Sequence, residues 1–448
     1  MKKDFSPVKF NSVDFRDGQQ SLFATRLTTE DMIPLLTDMD HIGFDSMEMW
    51  GGATFDVGIR FLRDDPWDRV RTFKKYVKNT PLKMVLRGQN LVGYKAYPDD
   101  IVEHFVACAA AAGIDVFLIF DALQDLRNCQ TAFAAVKKAG KKIEGSLQYN
   151  ISPFHTIDKF VENALEQESM GISLLHVEDM AGLMTPDMAY ALTAALKKAL
   201  HIPVHLHCHC TGGMAEMAYW EAIRAGIDGL DVCVSAMSLG PAQPPIESFL
   251  AALRGTERAP GIDIGLFRPI NDKFLALRRK YAEFETKLIG VDTGCLIHQI
   301  PGGMLSNFER QLREMGMHEK LPEVLEEIIR VRADMGSPPL ATPSSQICGA
   351  QSAMNVMTGR RYGMLSKEIR DYCRGMYGRP PGPMSPELLQ KALDGQPPSY
   401  PRPADLLEPG WEKAKKKAGT LARKDEDVLT YALFPNEAPA FLQAKYQQ

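Results

Sequence analysis

The stretch LLHVEDMAGLMTPDMAYALTAALKKALHIPVHLHCH, residues 174–209, holds two strand-like runs joined by one amphipathic helix. Its ends, LLHVEDMAG (174–182) and VHLHCH (204–209), are short and apolar, whereas DMAYALTAALKKAL between them repeats apolar positions at i, i+3 and i+4. This is one βαβ unit. Moving outward, the same unit recurs through KFNSVDFR (9–16), SMEMW (46–50), KMVLRG (83–88), VFLIFDA (116–122), KIEGSLQYN (142–150) and GLDVCV (229–234). Stretches such as TEDMIPLLTDMDHIG and DIVEHFVACAAAAG fill the gaps with helical period. Several end in glycine (Gly43, Gly113, Gly140, Gly171, Gly226), as a left-handed C-cap requires. Eight such units without a glycine-rich dinucleotide turn predict an α/β fold closed into a TIM (β/α)8 barrel rather than an open doubly wound sheet.

The barrel is expected over residues 1–255. From 256 to 448 the strand signal fades, and segments such as NDKFLALRRKYAEFETKLIG and LPEVLEEIIRVRADMG predict an all-helical C-terminal domain. Pro/Gly punctuation at 378–403 sets off a last helical segment carrying KAKKKAG, read as a solvated helix face. With 52 basic and 56 acidic residues in 448, and no long run of either sign, a nucleic-acid partner is not expected. No stretch of about 18 apolar residues is present, and eight scattered cysteines lack the spacing of a disulfide framework. A soluble, cytoplasmic protein with reduced thiols is expected.

In such a barrel the active site lies at the C-terminal strand ends. Polar residues are dense there: RDGQQS (16–21), EMWGGATFD (48–56), LRGQN (86–90), FDALQD (120–125), VEDMAG (177–182) and HLHCH (205–209). His205, His207 and His209 alternate at period two and leave one face of their strand. Two imidazoles near the mouth, opposed by a carboxylate, make a divalent-metal site, and Asp17 is the best-placed carboxylate. The competing reading is histidines hydrogen-bonded in a packed core. His205, lying deeper, is assigned to packing or to support of the ligands. Arg16 and Arg87 need anionic partners in a barrel lumen. A substrate carboxylate would serve either one, and so would Asp17, Glu48, Asp56 or Asp121. Gln20 and Tyr94 are neutral donors that could complete a substrate pocket or satisfy backbone groups.

These motifs resemble the carboxyltransferase component of biotin-dependent enzymes: the oxaloacetate decarboxylase alpha subunit, the carboxyltransferase domain of pyruvate carboxylase and the keto-acid subunit of transcarboxylase. RDGQQSLFATR is similar to the family's RDAHQSLxATR. EMWGGATFD, RGQNLVGY, FDALQD, DMAG, HLHCH, PGGMLSN (301–307), TPSSQ (342–346), RPADLLEP and DVLTYALFP follow in the family's order. The resemblance implies a TIM barrel followed by a helical funnel domain, and transfer of a carboxyl group between N1 of biotin and a small 2-oxo acid such as pyruvate or oxaloacetate. It implies that Asp17, His207 and His209 hold a divalent transition metal (zinc, manganese or cobalt). Arg16, Gln20, Arg87 and Tyr94 would surround the oxo acid and biotin, and Thr342 would exchange a proton with biotin.

Two positions depart from the family. Where the family has a carbamylated lysine as metal ligand, this chain has Glu178, which keeps an anionic oxygen on a shorter side chain and is expected as the fourth metal ligand, directly after a shift of metal or backbone or through a water. Gln19 replaces a histidine. The chain has no Met-Lys-Met sequence for attaching biotin, so the resemblance implies a separate biotin carboxyl carrier protein, a homodimer, and further carboxylase or membrane decarboxylase subunits as possible partners. Two other readings stand beside this one: a metal-dependent aldol-type lyase or synthase on the same barrel, and a non-catalytic scaffold subunit. The departure at position 178 favours both, while the retained RGQN, PGGM and TPSSQ segments weigh against the lyase.

Overall fold

All eight predicted runs form strands. In a computed structural model describing residues 6–447, apart from 289, 303–304, 306–311, 314–315 and 317, they are β1 (Lys9–Ser12), β2 (Ser46–Trp50), β3 (Leu82–Leu86), β4 (Val116–Ile119), β5 (Lys142–Gln148), β6 (Leu174–Asp179), β7 (Val204–Cys208) and β8 (Gly229–Val232). They pair in parallel, in sequence order, and close into a barrel where β1 meets β8 with Asn11 opposite Asp231. The outer ring is α1 (Thr29–Asp40), α2 (Pro66–Tyr76), α3 (Asp99–Ala112), α4 (Gln130–Lys138), α5 (Ile157–Ser169), α6 (Pro186–Ala199), α7 (Ala215–Ala225) and α8 (Ile246–Leu253). Local chemistry starts and stops these helices. The side chains of Thr28, Asp65, Thr156 and Thr185 accept first-turn N–H groups, and the five predicted cap glycines all have positive φ.

The lumen departs from the usual layers of branched apolar side chains. Asn11, Ser46, Glu48, Lys83, Glu144, His176, His205 and Asp231 are all buried, and they form a polar floor beneath the mouth.

After α8, every described element is helical. Helix α9 (Phe267–Lys280) adds Phe267, Ile270 and Phe274 to the barrel's core. Helices α10 (Leu321–Asp334), α11 (Ser344–Thr358), α12 (Lys367–Cys373) and α13 (Pro386–Leu393) build a second apolar core around Ile328, Val331, Ile347 and Leu388. This region reaches down to the barrel's mouth. Ala341 packs on Val85, Leu118 and Phe120 at the ends of β3 and β4, and buried Arg332 of α10 donates to Asn150 just beyond β5. The final helices α14 (Trp411–Ala418), α15 (Asp425–Leu433) and α16 (Ala438–Gln447) return to the barrel wall. There Phe434 stacks on Phe55 at 5.6 Å, and Trp67 Nε1 donates to Thr430 Oγ1 at 3.1 Å. The lysines of KAKKKAG lie on the exposed face of α14, as expected. Gly303, Met304, Ser306 and Asn307 of PGGMLSN fall outside the described residues. No described helix is long and apolar enough to cross a membrane.

Candidate metal centre

β1 runs directly into a tight π-helical turn, Asp14–Gly18, which places Asp17 over the lumen. The period-two alternation of β7 and the residue after it brings His207 and His209 to the same place. Asp17 Oδ2 lies 3.1 Å from Nε2 of each imidazole, and the two Nε2 atoms are 3.2 Å apart, all in buried residues.

The far nitrogens decide the tautomers. His207 Nδ1 is 2.9 Å from Asp231 Oδ2, and His209 Nδ1 is 2.6 Å from the Pro241 carbonyl oxygen. Both acceptors take an Nδ1 proton, so each Nε2 is the nitrogen left to face Asp17: neutral, it offers a lone pair to a cation there, as metal-binding histidines do, and protonated, it donates to the carboxylate. Burial alone would raise the Asp17 carboxyl, but the charges of Arg16 and His209 and the hydrogen bonds of His207 and His209 hold it well below the usual carboxylate range. Burial disfavours the His207 cation, but Asp17 and Asp231 outweigh it and push its pKa well above the ordinary value. The excess of negative charge is general. Asp17, Glu48, Glu144, Glu178 and Asp231 are buried in and around the lumen with Arg16 and Lys83 as buried cations, and a dication between neutral imidazoles offsets that excess. The residues present therefore fit a divalent ion.

Glu178 is paired in register with His207 on one side and with Gln148 on the other. Its carboxylate turns toward Gln148: Oε2 accepts from Ser146 Oγ at 2.8 Å and from Gln148 Nε2. It is not among the donor atoms that gather around Asp17. Arg16 is buried and pairs with Glu48 through Nε and with Asp17 through Nη1 at 3.4 Å, two of the internal partners the sequence allowed. Arg87 is different. It is half-buried and makes no ion pair with any described residue; Nη1 donates to the carbonyls of Val92 and Gly93 at 3.1 and 2.9 Å. Burial, with the charge of Arg16 adding to it, lowers the guanidinium's pKa. A Cβ on Gly52 would overlap this guanidinium, so glycine is what lets it lie against the β2 loop. The half-exposed Tyr94 ring lies 5.5 Å from Arg87, and its hydroxyl donates to Asp56 at 2.8 Å. Burial and the Asp56 carboxylate push its pKa up to about 12. Gln20 and Thr342 are half-buried, and neither side chain hydrogen-bonds to a described residue. Gln19 is structural, joining the Phe15 carbonyl to the Leu27 N–H.

Sequence reasoning passed over two residues at the centre. Asp231 sits at a lumen-facing position of β8 that strand alternation could have flagged. Gln243 lies in the loop after β8, where no periodicity points to it. Its Nε2 is 2.8 Å from Asp17 Oδ2 and 3.2 Å from each histidine Nε2. His205, read as packing or support, is part of the floor: Nδ1 is 2.9 Å from Asn11 Nδ2, which also donates to Asp231 Oδ1 at 2.7 Å.

A closed parallel barrel carrying a carboxylate–imidazole cluster at its mouth defines an enzyme of the (β/α)8 class. Residues 7–273 match the family model described as HMGL-like, and residues 295–448 match the conserved carboxylase domain. A pyruvate carboxylase subunit of Methanocaldococcus jannaschii is 51% identical over 442 residues, covering 98% of this chain and 78% of that protein. The methylmalonyl-CoA carboxyltransferase 5S subunit of Propionibacterium freudenreichii subsp. shermanii is 47% identical over 443 residues, covering 97% of this chain and 87% of that protein. The carboxyl transferase domain of Rhizobium etli pyruvate carboxylase, solved with pyruvate, superposes with a TM-score of 0.93 at 33% identity, covering 98% of this chain and 77% of that one. The chain belongs to the carboxyltransferase family of biotin-dependent carboxylases, and it is an enzyme.

Proposed function

We propose that this enzyme moves a carboxyl group between carboxybiotin, presented by a separate biotin carboxyl carrier protein, and a small 2-oxo acid of the pyruvate/oxaloacetate type. The observation that carries this reading is Arg87: a guanidinium at the barrel's mouth, close enough to feel Arg16, with no carboxylate paired to it among the described residues. A 2-oxo acid brings the missing carboxylate, which the planar fork can take bidentately. Relatives of the chain include subunits of a pyruvate carboxylase and of a 2-oxoglutarate carboxylase, and these names support the 2-oxo acid class.

Asp17, His207 and His209 would hold a zinc, manganese or cobalt ion, whose Lewis acidity polarises the 2-oxo group and favours the enolate. The chain's own groups do the rest. Arg16, tied to Glu48 and Asp17, fixes the Asp17 carboxylate in place. Gln20 donates hydrogen bonds within the pocket, and Tyr94, whose hydroxyl proton goes to Asp56, sets its ring against Arg87. Thr342, on the segment beside Ala341 at the mouth, holds the proton that biotin N1 gains when its carboxyl group leaves and loses in the reverse direction. For pyruvate, that proton is the one removed from the methyl carbon as the new C–C bond forms.

The proposal extends to architecture and setting. The two expected units, 1–255 and 256–448, would act as a barrel and a helical funnel that guides the carrier to the mouth, with the enzyme working as a homodimer. Eight free cysteines suit a reducing compartment such as the cytoplasm. The test is direct: purified enzyme loaded with metal is given free biotin, or a biotinylated carrier, and a panel of 2-oxo acids. Biotin-dependent decarboxylation of oxaloacetate or a related acid is expected, and no turnover across the panel overturns the reading.

A further inference from the structure

We infer that the amide oxygen of Gln243 is the fourth protein ligand of the metal centre, supplying the donor that position 178 does not. The inference rests on the reading of Asp17, His207 and His209 as metal ligands and goes beyond it.

The geometry is that of a coordination polyhedron. Four atoms converge at the mouth: Asp17 Oδ2, His207 Nε2, His209 Nε2 and the terminal amide nitrogen of Gln243. Their six mutual separations are 3.1, 3.1, 3.2, 2.8, 3.2 and 3.2 Å. Six nearly equal edges make a tetrahedron, and an ion held at about 2.0 Å by four N/O donors demands edges of roughly 3.3 Å. Glu178 contributes no vertex, because Ser146 and Gln148 hold its carboxylate.

The orientation of the amide follows from chemistry. With both histidine Nδ1 atoms protonated, the Gln243 amino group faces three acceptors with two hydrogens. With a cation among those acceptors, the same group points positive hydrogens at a positive ion. A half-turn about the last side-chain bond puts the oxygen there instead, since the two amide termini are nearly isosteric. Among described residues this half-turn gives up the amino group's contacts with Asp17, His207 and His209, which an ion at their centre replaces, and one weak interaction from Cys233 Sγ to Gln243 Oε1 at 3.5 Å. The Gln243 side chain is fully buried, and an amide turned toward the ion is then satisfied at both ends, since its amino group meets the Cys233 sulfur. A neutral oxygen in place of a carbamate also leaves the ion with one carboxylate rather than two anionic ligands, which makes it a stronger Lewis acid.

Cobalt(II) titrated into apo-enzyme tests this, using its visible absorption, which reports four-coordinate geometry, and chelator competition for affinity. Wild type is expected to bind one ion with a four-coordinate spectrum. Gln243→Ala and the volume-matched Gln243→Met should each bind at least about tenfold more weakly and with an altered spectrum, while Gln243→Glu, which keeps the oxygen, retains the ion. Glu178→Gln should change neither affinity nor spectrum. Circular dichroism identifies any variant that fails to fold, and the other substitution then serves. If folded Gln243→Ala or Gln243→Met keeps wild-type affinity and spectrum, or if Glu178→Gln loses the ion, the inference is wrong. If wild type itself binds no cobalt, the underlying metal reading fails instead.

Discussion

Asp231 Oδ2 lies 2.9 Å from His207 Nδ1, while Asp231 Oδ1 accepts from Asn11 at 2.7 Å. One carboxylate of β8 thus ties the donor cluster at the mouth to the polar floor below it. The interaction fixes the imidazole's tautomer and increases its basicity toward a cation. Replacing the acid with the isosteric amide, Asp231→Asn, keeps the shape but removes the charge. Metal affinity measured by chelator competition should fall by about 10–100-fold, with far-ultraviolet circular dichroism unchanged. Undiminished affinity would mean that the orientation of His207 does not depend on this bond.

Removing a donor outright should act more strongly. Asp17→Ala and His207→Ala each delete one vertex of the cluster, and purified variants are expected to lose their metal on dialysis. Elemental analysis of metal per chain reads the outcome. Full retention in both variants would remove the centre from these residues.

Beneath the centre, Lys83 Nζ lies 2.7 Å from Glu144 Oε2, with side-chain exposures of 0% and 6%. Breaking such a pair leaves a buried charge without a partner and costs about 3–5 kcal/mol. Glu144→Leu should therefore lower the denaturant midpoint sharply. Adding Lys83→Met removes the stranded cation, and the double variant should recover much of the loss. If the double variant is no more stable than the single, the penalty comes from lost packing or from His176, which also bonds Glu144 at 2.9 Å.

The same carboxyl predicts a pH response. Burial raises its pKa, but Lys83 and His176 outweigh burial and bring it from 4.5 down to about 2. Because the folded value lies below the unfolded one, the pair's contribution is complete above about pH 4.5 and is lost as pH falls toward 2. Glu144→Gln should flatten the stability-versus-pH curve across that window and leave its slope above about pH 5 unchanged. An equally steep acid limb in the variant would assign it to other carboxyls.

The barrel was legible because its signal is repeated. Eight apolar runs set the strands, and glycines such as Gly171 and Gly226 punctuated the helices. The three donors were legible for a related reason: H-x-H at a strand end fixes two side chains on one face, and Asp17 sits at the end of another strand. Arg16 and Arg87 looked alike in sequence, since each follows an apolar run. Their partners come from β2 and from the β3 loop, and tertiary structure alone separates the paired arginine from the unpaired one. Gln243 was invisible because a loop carries no period. The polar floor was missed because nothing within the runs KMVLRG and KIEGSLQYN marks Lys83 and Glu144 as partners, and only the folded barrel brings them together. The resemblance directed attention to position 178 for a ligand, but local packing on Ser146 and Gln148 turns that carboxylate away.

Arg87 offers the sharpest check on the substrate class. If its guanidinium receives the substrate's carboxylate, removing it costs the charge-assisted hydrogen bonds, each about 1.5–3 kcal/mol. The value of kcat/KM for the 2-oxo acid should then fall about 10–100-fold or more in Arg87→Ala, while metal content stays at wild-type level. Arg87→Lys should recover little, because a point charge lacks the planar fork and its contact with the Tyr94 ring. The decisive comparison uses a 2-oxo amide, which lacks the carboxylate. Wild type should turn it over as poorly as the variant does, since both lack the same interaction, and the two losses should not add. If the amide and the acid suffer equally from Arg87→Ala, the residue supports the pocket without touching the carboxylate, and the acid's anchor must be sought elsewhere at the mouth.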